Sequence, residues 1–345
     1  MNIYDLSPSE LKEYLVSVGE PKFRASQIFG LLHKGHEIVD MPTVPTILKQ
    51  KVSKEFYAKL PKIIKEQLSR DGTRKFLMEV DSQGTLVECV LMTQDYGLTI
   101  CVSTQVGCKM ACAFCASGKE GFVRNLTSGE ILSQVILVNK LYNNSSNTMR
   151  IVLMGSGEPL DNYDNFVKFV GLVNEKGGLN ISTRNISLST VGIVPKIREF
   201  ADLNTGVNLC ISLHAPNDEI RCKIIPIARK YSIKDLVGSA KYYFEKTGRR
   251  VIFEYSLIDG VNSEVEHAKE LSILLKGFPT HVNLINLNPI GQKDKNALQP
   301  PSREVAMEFM DTLIKSGVSC TMRKSKGQDI EGACGMLKMK ILGQE

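Results

Sequence analysis

Cys108, Cys112 and Cys115 stand in one short segment, Gly107-Cys108-Lys109-Met110-Ala111-Cys112-Ala113-Phe114-Cys115, with three residues inside the first gap and two inside the second. Thiols at this spacing can all reach one small object, either a zinc ion or an iron–sulfur cluster. Structural zinc takes its remaining ligands from a second paired motif, and none of the other cysteines or the five histidines is so paired. A four-iron cluster normally takes four thiolates, so three leave one iron open to a cofactor or substrate. The trio therefore reads as the ligand set of a reactive [4Fe-4S] cluster.

A second set of groups follows at strand ends. The apolar run Ile151-Val152-Leu153-Met154 leads into Gly155-Ser156-Gly157-Glu158-Pro159. Glycines there let a backbone approach a ligand, and Glu158 can pair with an ammonium group. The third glycine of a dinucleotide fingerprint is missing, and in isolation the segment is a simple strand-to-helix turn. Ser189, the trio Ser212-Leu213-His214, and Asn288 before Pro289 close three further predicted strands. Each alone is an ordinary cap or turn residue. Repeated at successive strand ends, they place hydroxyl, imidazole and amide groups around one mouth, suited to a ribose, a carboxylate and an adenine.

Two more cysteines stand apart from the trio. Cys101 precedes Cys108 by seven residues on the strand that feeds the loop, and Cys334 lies in Gly332-Ala333-Cys334-Gly335. Small neighbours leave Cys334 open to approach, so a buried structural thiol and a reactive one are both open readings. Cys89, Cys210, Cys222 and Cys320 have no partner at ligand spacing and read as core or incidental surface thiols.

Positioning these groups requires a particular scaffold. From about residue 84 the chain alternates strand and helix almost to its end. Strands are predicted near 98–103, 150–154, 185–190, 207–213, 251–257 and 281–287, with helices over 127–143, 163–176, 233–246 and 263–276. This predicts an α/β fold, an open partial (β/α)6 barrel over residues 84–345, whose chemistry sits where strands end. Residues 1–80 read as a small helical accessory domain. Ser7-Pro8-Ser9-Glu10 starts a helix carrying Leu11, Tyr14, Leu15 and Val18, Gly19 ends it, and Phe23, Ile28, Leu31 and Leu32 mark a second.

The chain has 345 residues, 43% of them hydrophobic, enough for a large core. It has no apolar run of membrane-spanning length and no signal-peptide profile, so a cytoplasmic protein without membrane association is expected, its nine cysteines thiols or ligands rather than disulfides. Net charge is +6, and residues 1–80 hold thirteen Lys and Arg against ten Asp and Glu. That favours a polyanionic partner, and only weakly. Nothing suggests a coiled coil, so a monomer is expected.

Together, Gly107-Cys108-x3-Cys112-x2-Cys115, Gly157-Glu158-Pro159-Leu160, Leu188-Ser189-Thr190, Ser212-Leu213-His214-Ala215-Pro216-Asn217, Asn288-Pro289 and Gly332-Ala333-Cys334-Gly335 closely resemble the RlmN/Cfr family of radical S-adenosylmethionine adenine methyltransferases. The likeness runs through the N-terminal segment Gly19-Glu20-Pro21-Lys22-Phe23-Arg24-Ala25, so it covers essentially the whole chain. It implies a [4Fe-4S] cluster on Cys108, Cys112 and Cys115, with S-adenosyl-L-methionine held at the open iron by Gly157, Glu158, Ser189, Ser212, Leu213, His214 and Asn288. It further implies that Cys334 is first methylated, and that a deoxyadenosyl radical then takes hydrogen from that methyl group. The carbon radical adds to adenine, Glu88 removes the ring proton, and Cys101 releases the product by forming a transient disulfide with Cys334. On composition alone Glu88, in the alternating strand Leu86-Val87-Glu88-Cys89-Val90, would be a solvent-face residue.

The family contains C2 and C8 methylating branches. Ser212–Asn217 with Asp218-Glu219-Ile220-Arg221, and residues 260–263, look more like the C2 branch, which acts on 23S rRNA and on tRNA, with an electron donor such as flavodoxin. Ser156 departs from the methionine frequent at that position. A methylthiotransferase would need a further cysteine set upstream, and residues 1–80 contain no cysteine. The other rival is a non-catalytic Fe-S or zinc RNA-binding module, in which Cys101 and Cys334 would be dispensable.

Overall fold

A computed structural model describes residues 1–119, 121–143, 148–289, 297–333 and 335–336. Its strands are β1 (Lys62–Leu68), β2 (Arg74–Glu79), β3 (Leu86–Gln94), β4 (Gly97–Cys101), β5 (Gln105–Gly107), β6 (Phe122–Asn125), β7 (Met149–Leu153), β8 (Ile186–Thr190), β9 (Asn208–Ser212), β10 (Val251–Leu257), β11 (Thr280–Asn286) and β12 (Cys320–Arg323). Ten form one sheet in the order β1-β2-β3-β4-β7-β8-β9-β10-β11-β12, while β5 and β6 make a separate ribbon.

From β4 to β12 every neighbouring pair is parallel. Parallel neighbours need crossovers, supplied by helices such as Ser128–Tyr142, Tyr163–Asn174, Val194–Asp202, Ile233–Thr247 and Val265–Leu274. The six predicted strands are present as β4, β7, β8, β9, β10 and β11. The seventh parallel strand, β12, is short and only partly buried, so it lacked the apolar run that marks the others. Among the described residues no helix is long and apolar enough to cross a membrane.

The helical reading of residues 1–80 holds only to residue 55. Helices Pro8–Ser17, Phe23–His33 and Thr46–Glu55 form, the first with the expected capping box of Ser7 and Glu10. Residues 62–79 are strands instead: β1 and β2 join β3 antiparallel and widen the main sheet. Phe76 and Met78 are fully buried on one side of β2, while the lysines of β1 lie on an edge strand, where they discourage pairing with other chains. Phe23, expected in the apolar stripe, is largely exposed beneath the Arg24 guanidinium, 4.8 Å from its centroid.

The N-terminal helices are fastened to the barrel. The Asp5 carboxylate accepts hydrogen bonds from Ser128 Oγ (2.8 Å) and Gly129 N (2.6 Å) at the start of the helix Ser128–Tyr142, the positive end of its dipole. His33 is buried against Phe29, and its Nδ1 accepts the Leu179 N–H at 3.1 Å. Burial pushes its pKa down to about 4. A depressed histidine stabilises the fold fully above its unfolded pKa near 6.5, and that contribution is lost as pH falls towards 4. Acidification from pH 7 to pH 4 should therefore cost about 3 kcal/mol at this site. Urea unfolding at the two pH values should show a drop that shrinks in His33→Gln; an equal drop in both proteins would refute the assignment.

Candidate active site

The cysteine loop is held open by the β5–β6 ribbon. Cys108 N donates to Gly121 O at 2.9 Å, and Gly107 takes φ 72°. A Cβ at position 107 would come within 1.8 Å of Gly121 O, so only glycine fits there. On the far side Ala113 N donates to Ile224 O (2.9 Å) and Ala116 N to Gly335 O (2.8 Å). Cys108, Cys112 and Cys115 line one cavity. Among the described residues no three His, Cys, Asp or Glu side chains group as ligands of a single metal ion. Three thiols around one cavity can serve as corner ligands of a cluster. Burial pushes the Cys108 thiol up to about 12 and Cys112 up as well, so both stay protonated until a cation binds and reverses the preference.

The polar groups at the carboxyl ends of successive strands face the same cavity: Glu158 after β7, Ser189 in β8, Ser212 in β9 with His214 beyond it, and Asn288 after β11. Glu158 is almost fully buried. Its oxygens accept the Leu160 N–H (3.0 Å) and the Val191 N–H (2.8 Å), and burial, working against those bonds, raises its pKa to about 7. An ammonium group beside it would hold it ionised. His214 Nδ1 accepts the Ser256 N–H at 2.8 Å, and burial, helped by the Arg221 charge, lowers its pKa to about 3. The ring is therefore neutral, with its proton on Nε2 as a donor.

Two expectations shift. Leu213 does not line the cavity: its side chain is in the core, its N–H goes to Glu254 O and its carbonyl to Arg221 Nε. Gly155 and Gly157 line the cavity, yet it is the neighbouring backbone that demands glycine there. Added Cβ atoms would lie 2.6 Å from Val102 O and 2.7 Å from Gln105 N. Ser156 is buried and does not line the cavity; its N–H bonds Ser103 Oγ at 2.9 Å. The departure at position 156 thus acts on packing.

A second cavity adjoins the first, and Met154, Ile285, Asn288 and Arg323 line both. Cys101 lines it, as do Tyr96, Lys324 and Lys326. Sheet register puts Lys75, Val90, Cys101 and Val152 in one row across β2, β3, β4 and β7. Directly paired residues and their i±2 neighbours share a face, so Glu88 lies on the Cys101 side. Glu88 is 4% exposed and forms an ion pair with Lys75 Nζ at 3.1 Å, which corrects the solvent-face reading.

Cys334 itself lies outside the described residues. Ala333 on one side of it lines the second cavity, and Gly335 on the other lines the first. The segment leading there is clamped by the β1–β2 turn: Ser69 Oγ donates to Asp329 (2.5 Å), Gly327 N donates to Asp71 (3.0 Å), and Lys75 Nζ donates to Glu331 O (3.4 Å). Sequence reasoning missed Asp71, Lys75, Glu254 and Arg221. The Asp71 and Lys75 contacts with Gly327 and Glu331 each span 256 positions, and no local spacing signals them.

Comparison with known proteins then finds the radical SAM superfamily over residues 102–271 and the ribosomal RNA large subunit methyltransferase N-terminal domain over residues 1–57. A relative from Clostridium perfringens (strain 13 / Type A), named "Probable dual-specificity RNA methyltransferase RlmN", is 49% identical over 344 residues, 99% of this chain and 97% of that protein. One of the same name from Geobacillus kaustophilus is 44% identical over 100% of this chain and 94% of its own length. A crystal structure of a radical SAM methyltransferase from Sphaerobacter thermophilus is 39% identical, covers 99% of this chain and 100% of its own, and superposes with a TM-score of 0.94.

Proposed function

The chain belongs to the RlmN family of radical S-adenosylmethionine methyltransferases, and from that we propose that it methylates C2 of an adenine in 23S ribosomal RNA and in transfer RNA. The observation that carries the reading is the pair of adjoining cavities. One is lined by the cysteine trio, the strand-end polar groups and Gly335, the other by Cys101, lysines and Ala333.

Cys108, Cys112 and Cys115 hold the [4Fe-4S] cluster of the superfamily, which when bound supplies the electron that cleaves S-adenosylmethionine. Glu158 receives that cofactor's ammonium group, while Ser189, Ser212, His214 and Asn288 orient its remaining polar groups. Cys334 carries the methyl group to the target. An electron-poor adenine carbon does not attack a sulfonium, and a thiol can serve both as carrier and as leaving group. Glu88 takes the ring proton as the radical adduct gives up one electron, which would return to the cluster; the Cys101 thiol then attacks the Cys334 sulfur, its proton passing to the released carbon, so that the methylated base is freed and a disulfide is left.

Lys324 and Lys326 at the second cavity meet phosphates, and the helical N-terminal domain, with Phe23 exposed beneath a half-buried Arg24, grips RNA further out. The protein works as a cytoplasmic monomer with a small one-electron donor such as flavodoxin.

Anaerobically reconstituted protein, S-adenosylmethionine and unmodified ribosomal and transfer RNA should yield 2-methyladenosine by mass spectrometry of the digested nucleosides. 8-Methyladenosine would overturn the C2 assignment. No methylated base, despite a reducible cluster, would turn the reading towards a non-catalytic RNA-binding module.

A further inference from the structure

Arg221 is a fully buried cation that the reaction scheme above does not use. It sits on the short helix Asp218–Ile224, which backs onto the cysteine loop: Ile224 O accepts the Ala113 N–H, and Ile224 and Ile225 pack with Cys108, Met110 and Cys112. The guanidinium bonds three backbone carbonyls, Leu213 O from Nε (3.1 Å), and Val191 O (2.5 Å) and Ser212 O (3.2 Å) from one terminal nitrogen. Its other terminal nitrogen, NH1, has no partner among the described residues. Carbonyl dipoles orient the group without neutralising it. Of the acidic groups around it, Cys112, once a thiolate, acts on it most strongly, ahead of the Asp218 carboxylate.

An unpaired buried charge costs several kcal/mol, so such a residue needs a counter-charge. Three thiolates around a four-iron core supply one, with a net charge of −1 when oxidised and −2 when reduced. We propose that Arg221 is the fixed counter-charge of the iron–sulfur cluster, standing behind Cys112, and that it raises the cluster's reduction potential. The residue does not line the cofactor cavity, so it is a positioning charge and touches neither S-adenosylmethionine nor RNA. A fixed cation favours the more negative reduced state, and burial strengthens that effect. The inference rests on the cluster reading of the cysteine trio.

The test is an EPR-monitored redox titration of reconstituted wild type, Arg221→Gln and Arg221→Lys, with iron content and circular dichroism for each. Arg221→Gln should move the balance of oxidised to reduced cluster at least tenfold towards oxidised, which for one electron is a midpoint lower by about 59 mV. Arg221→Lys, which keeps the charge, should stay within threefold of wild type. An iron-loaded glutamine variant at the wild-type midpoint overturns the proposal, and so does an equal shift in both variants. If the glutamine variant does not fold, Arg221→Lys decides alone: a balance within threefold supports the charge and a tenfold shift refutes it. A wild type without a reducible cluster would instead count against the radical S-adenosylmethionine reading itself.

Discussion

Replacing Glu88 by glutamine should stop the reaction between carbon–carbon bond formation and product release, so that protein covalently joined to RNA accumulates. Glutamine keeps the shape of the side chain and removes its ability to take a proton. Without proton loss from the ring, Cys101 has no adduct ready for release, and turnover should fall by about 10²- to 10⁴-fold, the usual contribution of a positioned base. Labelled RNA run on a denaturing gel would show the retarded adduct. Normal yields of methyladenosine from Glu88→Gln would remove the residue from the mechanism. The buried pair with Lys75 at 3.1 Å complicates a simple reading, because neutralising one partner strands the other at a cost of about 3–5 kcal/mol. The double variant Lys75→Met/Glu88→Gln separates the effects: it should regain stability and still accumulate adduct.

The larger loss is expected from Cys334→Ala, which should reduce methylated adenosine to background, a fall of at least about 10³-fold. Cys334→Ser should fail as completely, since a hydroxyl is neither nucleophilic enough to accept the methyl group nor able to leave through a disulfide. Reductive cleavage of S-adenosylmethionine should persist in both variants, because the groups assigned to bind it are elsewhere. Liquid chromatography of 5′-deoxyadenosine beside nucleoside mass spectrometry tests the pair of expectations. Wild-type methylation by either variant would end the carrier role, whereas loss of both activities would mean that the C-terminal segment is needed to build the cofactor cavity, a role consistent with Gly335 O accepting the Ala116 N–H.

What could be read from the sequence was local. Three thiols inside one loop carry their ligand spacing wherever that loop goes, and strand–helix alternation announces both a parallel sheet and the rim at which Glu158, Ser189, Ser212, His214 and Asn288 gather. Charge in an alternating strand, by contrast, ordinarily marks the solvent face, and for Glu88 that expectation fails. Strand register brings Lys75 alongside Val90 and Cys101, and residues 327–331 are bound to the β1–β2 turn, so the outer part of the sheet joins the site. The β1 lysines likewise looked helical until pairing with β2, itself paired with β3, turned their stretch into a sheet edge. Arg221 had no motif of its own; three backbone carbonyls, from the end of β9 and the loops after β8 and β9, hold it in place. Ligand identity and order along the chain were thus determined by residue type and spacing. The partner of each buried charge was decided only by tertiary structure, because desolvation and Coulomb attraction depend on distances that sequence separation does not encode.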